Sequence, residues 1–124
     1  MELEKPTIDF PGVEPPETME IEDIKVGNGD EATGGRTVSV HYVGVAFSTG
    51  EQFDASWDRE QAFEFNLGGG QVIKGWDEGV VGMKVGGRRK LTLPPDYAYG
   101  DRGAPPVIQP GETLIFVVDL LEVK

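Results

Sequence analysis

The sequence predicts an α+β domain in which a twisted, roughly five-stranded antiparallel sheet wraps around one short helix. Three observations carry that prediction. Residues 37–47 (TVSVHYVGVAF) and 113–123 are almost wholly β-branched, aromatic or aliphatic. Residues 73–83 alone place apolar side chains at clear helical spacing. The prolines gather in residues 1–16 and 94–110, leaving the stretch between them free to form ladders and a helix. A length of 124 residues suits one such domain, with a core that needs no covalent staples.

Taken in order, residues 1–16 carry Pro6, Pro11, Pro15 and Pro16 and read as an acidic, extended N-terminal arm ahead of a domain over 17–124. Ile8, Phe10 and Val13 are its few apolar anchors, enough for partial packing on the sheet edge. Over residues 18–26 the apolar alternation slips between Ile21 and Ile24, as in a bulged strand. Gly27-Asn28-Gly29-Asp30 turns the chain and Gly34-Gly35 is a second flexible joint. After the strand at 37–47, Ser48-Thr49-Gly50-Glu51 turns back and Gln52-Phe53-Asp54 begins an extended piece. Residues 62–67 (AFEFNL) alternate as a short strand, and residues 88–93 form another. The last strand, 113–123, is nearly all apolar, which predicts a central position covered on both faces.

The helix over residues 73–83 carries Ile73, Trp76, Val80 and Met83 on one stripe and Gly75, Gly79 and Gly82 on another. Each glycine costs a helix about 1 kcal/mol relative to alanine, so three in one turn-rich segment imply close backbone packing against a curved sheet. Residues 94–112, with Pro94, Pro95, Pro105, Pro106 and Pro110, read as one long shaped loop.

Composition removes most catalytic classes. There is no cysteine and a single histidine, so disulfides, thiolate metal sites and a cysteine nucleophile are absent. The net charge of −11 opposes nucleic acid, and most of it is N-terminal. Residues 1–34 hold ten acids against Lys5 and Lys25, a net of −8. No apolar run is long enough for a membrane span, and Met1-Glu2-Leu3-Glu4 does not read as a signal peptide, so a cytoplasmic protein is expected. Residues 68–75 (GGGQVIKG) lack the Gly-Lys-Ser/Thr ending of a phosphate loop. His41 lies mid-strand, no serine sits on a nucleophile elbow, and no acids show calcium-loop spacing. No metal and no cofactor are expected.

What remains is aromatic: six phenylalanines, three tyrosines and two tryptophans. An ordinary core accounts for them. So does an apolar pocket fringed by polar tips such as Asp54 and the Tyr99 hydroxyl, and composition does not choose.

Local strings do. Residues 72–79 (VIKGWDEG) resemble the VI-x-GW-x-EG signature of FKBP-type peptidyl-prolyl isomerases, the immunophilins that bind the macrolides tacrolimus and rapamycin. His41-Tyr42-Val43-Gly44, Phe53-Asp54-Ala55-Ser56, Arg59, Phe63, Tyr97-Ala98-Tyr99-Gly100 and Leu114-Ile115-Phe116 resemble further landmarks of that family, in the same order. The resemblance implies the FKBP-like fold, which agrees with the element pattern. It also implies cis/trans isomerisation of Xaa-Pro bonds in peptides and proteins, by a monomer. A binding module that uses the same pocket without turnover is the alternative.

Position by position, the resemblance puts Trp76 under the proline ring, with Tyr42, Phe63, Val72, Ile73 and Phe116 as walls and Phe53 on the side facing Asp54. The Tyr99 hydroxyl and the Ile73 amide would bond substrate carbonyls, and Gln71 would offer its main-chain carbonyl. Asp54 would sit at the rim, oriented by Tyr42 and Arg59. The loop over residues 100–112 would be a flap with Val107 and Ile108 as apolar contacts, favouring apolar residues before proline. Ala104 stands where many members carry histidine, and Pro106 adds a second proline beside Pro105, which should stiffen the flap.

Overall fold

The computed structural model describes residues 4–8, 14–104 and 107–124. Phe10, Val13, Pro105 and Pro106, which the sequence assigns to the arm and the flap, lie outside the described residues. Six strands form one antiparallel sheet: β1 (Glu20–Lys25), β2 (Thr37–Ala46), β3 (Gln52–Ala55), β4 (Phe63–Asn66), β5 (Arg88–Leu93) and β6 (Leu114–Val123). The single α-helix among the described residues is α1 (Lys74–Gly79), and 3-10 turns occupy Ser56–Arg59 and Pro95–Tyr97. The strand order is β1-β5-β6-β2-β3, with β4 also paired to β2.

The sheet has one strand more than the sequence predicts, and the addition is β3. Its four residues include an exposed glutamine and an aspartate, so they show no apolar alternation; their pairing to Val43, Gly44 and Val45 of β2 makes them a strand. β3 and β4 share one edge of β2, β3 opposite residues 43–45 and β4 opposite residues 37–40. Along its other edge β2 pairs with β6 from Val38 to Ala46. β6 is central as predicted, and its first seven residues are buried. The predicted bulge in β1 appears as a shift in its pairing to β5 between Asp23 and Lys25.

Alternation along the central strands divides the apolar residues between two faces. Val38, Val40 and Tyr42 of β2, Leu91 and Leu93 of β5, and Leu114, Phe116, Val118 and Leu120 of β6 meet Trp76, Val80 and Met83 in the main core. Val43, Val45, Phe47, Ala55 and Ile115 form a smaller cluster on the other face, where Ile8 of the arm and Trp57 pack against it. The described part of the arm thus lies on the outer face of the sheet. There Lys5 Nζ bonds Asp58 Oδ1 at 2.8 Å, and Arg88 Nη2 donates to the Glu4 carbonyl at 2.6 Å.

The helix is shorter than the sequence predicts, because residues 80–83 form a turn instead. Gly82 adopts φ +91°, a left-handed conformation that ends the helix, and the Gly82 amide donates to the Ala32 carbonyl rather than along the helix. The glycine stripe therefore has two purposes. A Cβ on Gly75 would lie 2.5 Å from the Leu93 methyl carbons, and one on Gly79 would lie 2.8 Å from Leu91 Cδ2. These two let the helix press onto β5, whereas Gly82 serves only the turn.

Candidate functional site

Pressing α1 onto β5 brings Trp76 to the floor of a cavity of about 190 Å³. The surrounding elements contribute one to three side chains each. Tyr42 comes from β2, Phe53 and Asp54 from β3, Phe63 from β4 and Phe116 from β6; Gln71, Val72 and Ile73 come from the approach to α1, and Tyr99 from the loop after the second 3-10 turn. Side chains from four strands converge here because the sheet curls around the helix.

The rings pack edge to face rather than in parallel stacks. Trp76 lies 4.8 Å from Tyr42 at 78° and 5.2 Å from Phe116 at 84°, and Phe53 lies 5.6 Å from Phe116 at 87°. Edge-to-face pairs set the positive rim of one ring against the negative face of the next, which holds each ring in a defined orientation. The Trp76 Nε1–H is buried and finds no acceptor among the described residues.

The polar groups gather at one rim. The Tyr42 hydroxyl donates to Asp54 Oδ2 at 2.5 Å, Arg59 Nη1 donates to Asp54 Oδ1 at 2.5 Å, and Arg59 Nη2 donates to the Tyr42 hydroxyl at 2.8 Å. Partial burial acts to raise the Asp54 carboxyl, but the hydrogen bonds from Tyr42 and Arg59, with the guanidinium charge, outweigh it and hold the group below its ordinary range. Burial raises Tyr42, and the hydrogen bond to Asp54 raises it further. Burial also raises Tyr99, with a smaller contribution from the Asp54 charge. At neutral pH the rim therefore offers a carboxylate held by Tyr42 and Arg59, one donor on each oxygen, and a protonated Tyr99 hydroxyl with no intramolecular partner among the described residues.

The loop before the helix is tied from below. Asp77 of α1 accepts the Gly68 and Gly70 amides at 2.9 and 3.0 Å, and Gln71 Oε1 accepts the Asn66 amide at 2.8 Å. These bonds fix the turn that delivers Val72 and Ile73 to the cavity wall. The Ile73 carbonyl accepts from Trp76 and Asp77, while its amide has no acceptor among the described residues.

Not every candidate residue reaches the cavity. Arg59 touches it only through Asp54 and Tyr42. Ile108 is buried in the main core, and Val107 lies in an adjoining groove, 60% exposed; neither lines the cavity. His41 points to the outer face, stacked on Trp57 at 4.3 Å with Nδ1 2.8 Å from Ser56 Oγ. Among the described residues no group of His, Cys, Asp or Glu could hold a metal, and no helix is long and apolar enough to cross a membrane.

Three residues matter that sequence reasoning gave no role. Gly44 lies under the cage, where a Cβ would come within 2.7 Å of both Phe116 and Phe53. Ser56 is fully buried and its Oγ accepts the Tyr42 amide at 2.7 Å. Asp77 ties the loop before the helix. Gly44 and Ser56 stand inside the motif strings, which was the available signal, but their partners are distant in sequence.

The fold is shared with known proteins. The sequence model of the FKBP-type peptidyl-prolyl cis-trans isomerase family matches residues 29–121. An FK506-binding protein of Streptomyces anulatus is 64% identical over 124 residues, covering 99% of this chain and 100% of that one. A probable FK506-binding protein of Corynebacterium glutamicum is 54% identical over 119 residues, with 96% and 98% covered. Among solved structures, AtFKBP13 superposes with a TM-score of 0.80 at 37% identity over 89% of this chain and 96% of that one. FkpA from Escherichia coli gives 0.77 at 40% identity over 86% of this chain and 48% of that one. With fold, relatives and sequence model in agreement, the chain belongs to the family of FKBP-type peptidyl-prolyl cis-trans isomerases.

Proposed function

We propose that this protein catalyses rotation about Xaa-Pro peptide bonds, with the proline ring on Trp76 inside the aromatic cage. The observation that carries the reading is a cavity that is apolar at its floor and has two uncommitted donors at its edge, the Tyr99 hydroxyl and the Ile73 amide. Rotation breaks no σ bond, so it needs neither nucleophile nor proton transfer. Its barrier of about 18–20 kcal/mol is the loss of amide resonance at the twisted geometry.

The planar amide is the more polar state and loses more on leaving water than the twisted one. A dry cage therefore narrows the gap between them, which is preferential binding of the transition state. Donors fixed on the flanking carbonyls hold the chain on either side while the bond turns. Asp54 is held by Tyr42 and Arg59, so its part is to fix the Tyr42 wall and set the charge at the rim. Tacrolimus and rapamycin compete for the same cage.

Exchange NMR on a Leu-Pro peptide, with and without tacrolimus, tests this. Turnover abolished by the macrolide is expected. Macrolide binding without turnover would leave only a binding module. Wild-type turnover in both Trp76→Leu and Asp54→Ala, in folded protein, would overturn the site.

A further inference from the structure

A second groove opens from the cage across Phe53, the one residue that lines both. It encloses about 280 Å³, more than the cage. One wall is the β2–β3 turn, with Ser48, Thr49, Glu51 and Gln52; the other is the returning loop, with Val107, Gln109 and Glu112. A peptide whose proline fills the cage must leave over its rim, and Phe53 makes this groove a continuous exit.

The lining chemistry is one-sided. It holds two carboxylates, several hydroxyl and amide groups, and neither lysine nor arginine. Glu112 is fixed in place, because its Oε1 accepts the Ser48 hydroxyl at 2.6 Å and its Oε2 accepts the Ser48 amide at 3.1 Å. That bond also braces the returning loop against the β2–β3 turn, so the groove is preformed. The Glu51 carboxylate has no partner among the described residues. The remaining charged rim, Asp54 with Arg59, is internally neutralised on the cage side.

We propose that this groove is a substrate subsite that takes the chain flanking the isomerised bond and selects a lysine or arginine side chain there. The proposal rests on the isomerase reading. An acidic flanking residue meets two carboxylates with no counter-charge, and an apolar one covers polar groups without bonding them. A basic side chain can lay its methylenes on Phe53 and Val107 and bring its charge to Glu51 and Glu112.

Peptides with a central Leu-Pro pair, carrying Ala, Lys or Glu in turn at the two positions on either side, test the subsite by exchange NMR. At one position lysine should exceed alanine about three- to tenfold in kcat/KM, the size of one or two exposed charge pairs, with glutamate below both. The ratio should collapse towards one between about 0.01 M and 1 M salt, as the screening length falls from roughly 30 to 3 Å. Glu51→Gln should weaken the preference and Glu51→Gln with Glu112→Gln should erase it, leaving the all-alanine peptide turned over as before. Equal rates for lysine and glutamate at every position would overturn the proposal, and so would a preference that survives in the double variant. No turnover of the all-alanine peptide would instead remove the isomerase reading. The same titrations yield Kd, so the lysine preference is then judged on binding alone.

Discussion

Ser56 stands where a strand partner of Tyr42 would otherwise be. β4 pairs with β2 as far as Val40 and β3 resumes at Val43, leaving His41 and Tyr42 without a neighbour on that edge. Ser56 Oγ fills the gap, accepting the Tyr42 amide at 2.7 Å and contacting His41 Nδ1 at 2.8 Å. One buried hydroxyl thus bridges the split edge directly behind the ring whose hydroxyl binds Asp54.

Ser56→Ala should cost about 1–3 kcal/mol, because it leaves the Tyr42 amide buried and unpaired. For a domain of this size that is a fall in Tm of roughly 4–15 °C. Calorimetry measures the loss, and faster hydrogen exchange at the Tyr42 amide locates it. Unchanged exchange there would show that something else satisfies the amide.

Gly44→Ala should act on the cage from beneath. Its Cβ would lie 2.7 Å from Phe116 and Phe53 ring atoms, so both rings must shift, at about 1–3 kcal/mol for overpacking. Tacrolimus affinity should fall together with Tm. Gly34→Ala is the control, since nothing lies within 4 Å of that position. Equal Kd for both variants would show that the rings do not depend on the bare β2 backbone.

Tyr99→Phe should separate binding chemistry from folding. The hydroxyl has no intramolecular partner among the described residues, so Tm should not move. Losing one hydrogen bond to substrate should lower kcat/KM about two- to tenfold. A wild-type kcat/KM would remove the hydroxyl from the reaction.

These three cases show what the sequence makes legible. The long β2 and β6 and the apolar stripe through Trp76 are readable because their residues lie close together in the chain and repeat at the period of their element. The cage residues could be named only through the family strings, because Tyr42, Phe63, Trp76 and Phe116 meet by long-range pairing that no local pattern encodes. β3 was hidden for the same reason: four residues with little apolar character become a strand only when β2 is beside them. The family resemblance assigns Ile108 to the flap, and the bridge between Ala104 and Ile108 turns it into the core instead.

The rim predicts a flat pH profile. Asp54 titrates below its ordinary range because the bonds from Tyr42 and Arg59 outweigh its partial burial, and Tyr99 titrates above its own range through burial and the Asp54 charge. Neither changes charge between about pH 5 and pH 9. kcat/KM from exchange NMR should be constant across that window. The Asp54 contribution to stability is present above its unfolded pKa of about 4, and is lost as pH falls through its lower folded value. A step in kcat/KM inside the window would mean that another group controls turnover.

On the opposite face Asp119 behaves in the reverse sense. It is 2% exposed, its Oδ1 accepts Arg88 Nε at 2.7 Å, and its Oδ2 has no partner among the described residues. Burial raises the carboxyl, and the Arg88 hydrogen bond and charge offset this only in part. A carboxyl raised by folding favours the native state most below its unfolded pKa, and that advantage is lost as pH rises through its folded value. Arg88→Met should therefore cost about 2–4 kcal/mol at pH 7, by stranding a buried charge, and less at pH 4, where the carboxyl can protonate. Arg88→Met with Asp119→Leu should return to within about 1 kcal/mol of wild type, because an apolar pair of similar volume needs no desolvated charge. Urea unfolding of the double-mutant cycle at both pH values measures this. If the double variant were as unstable as Arg88→Met, the ion pair would be stabilising in its own right, and the orphaned Oδ2 would need a partner beyond the described residues.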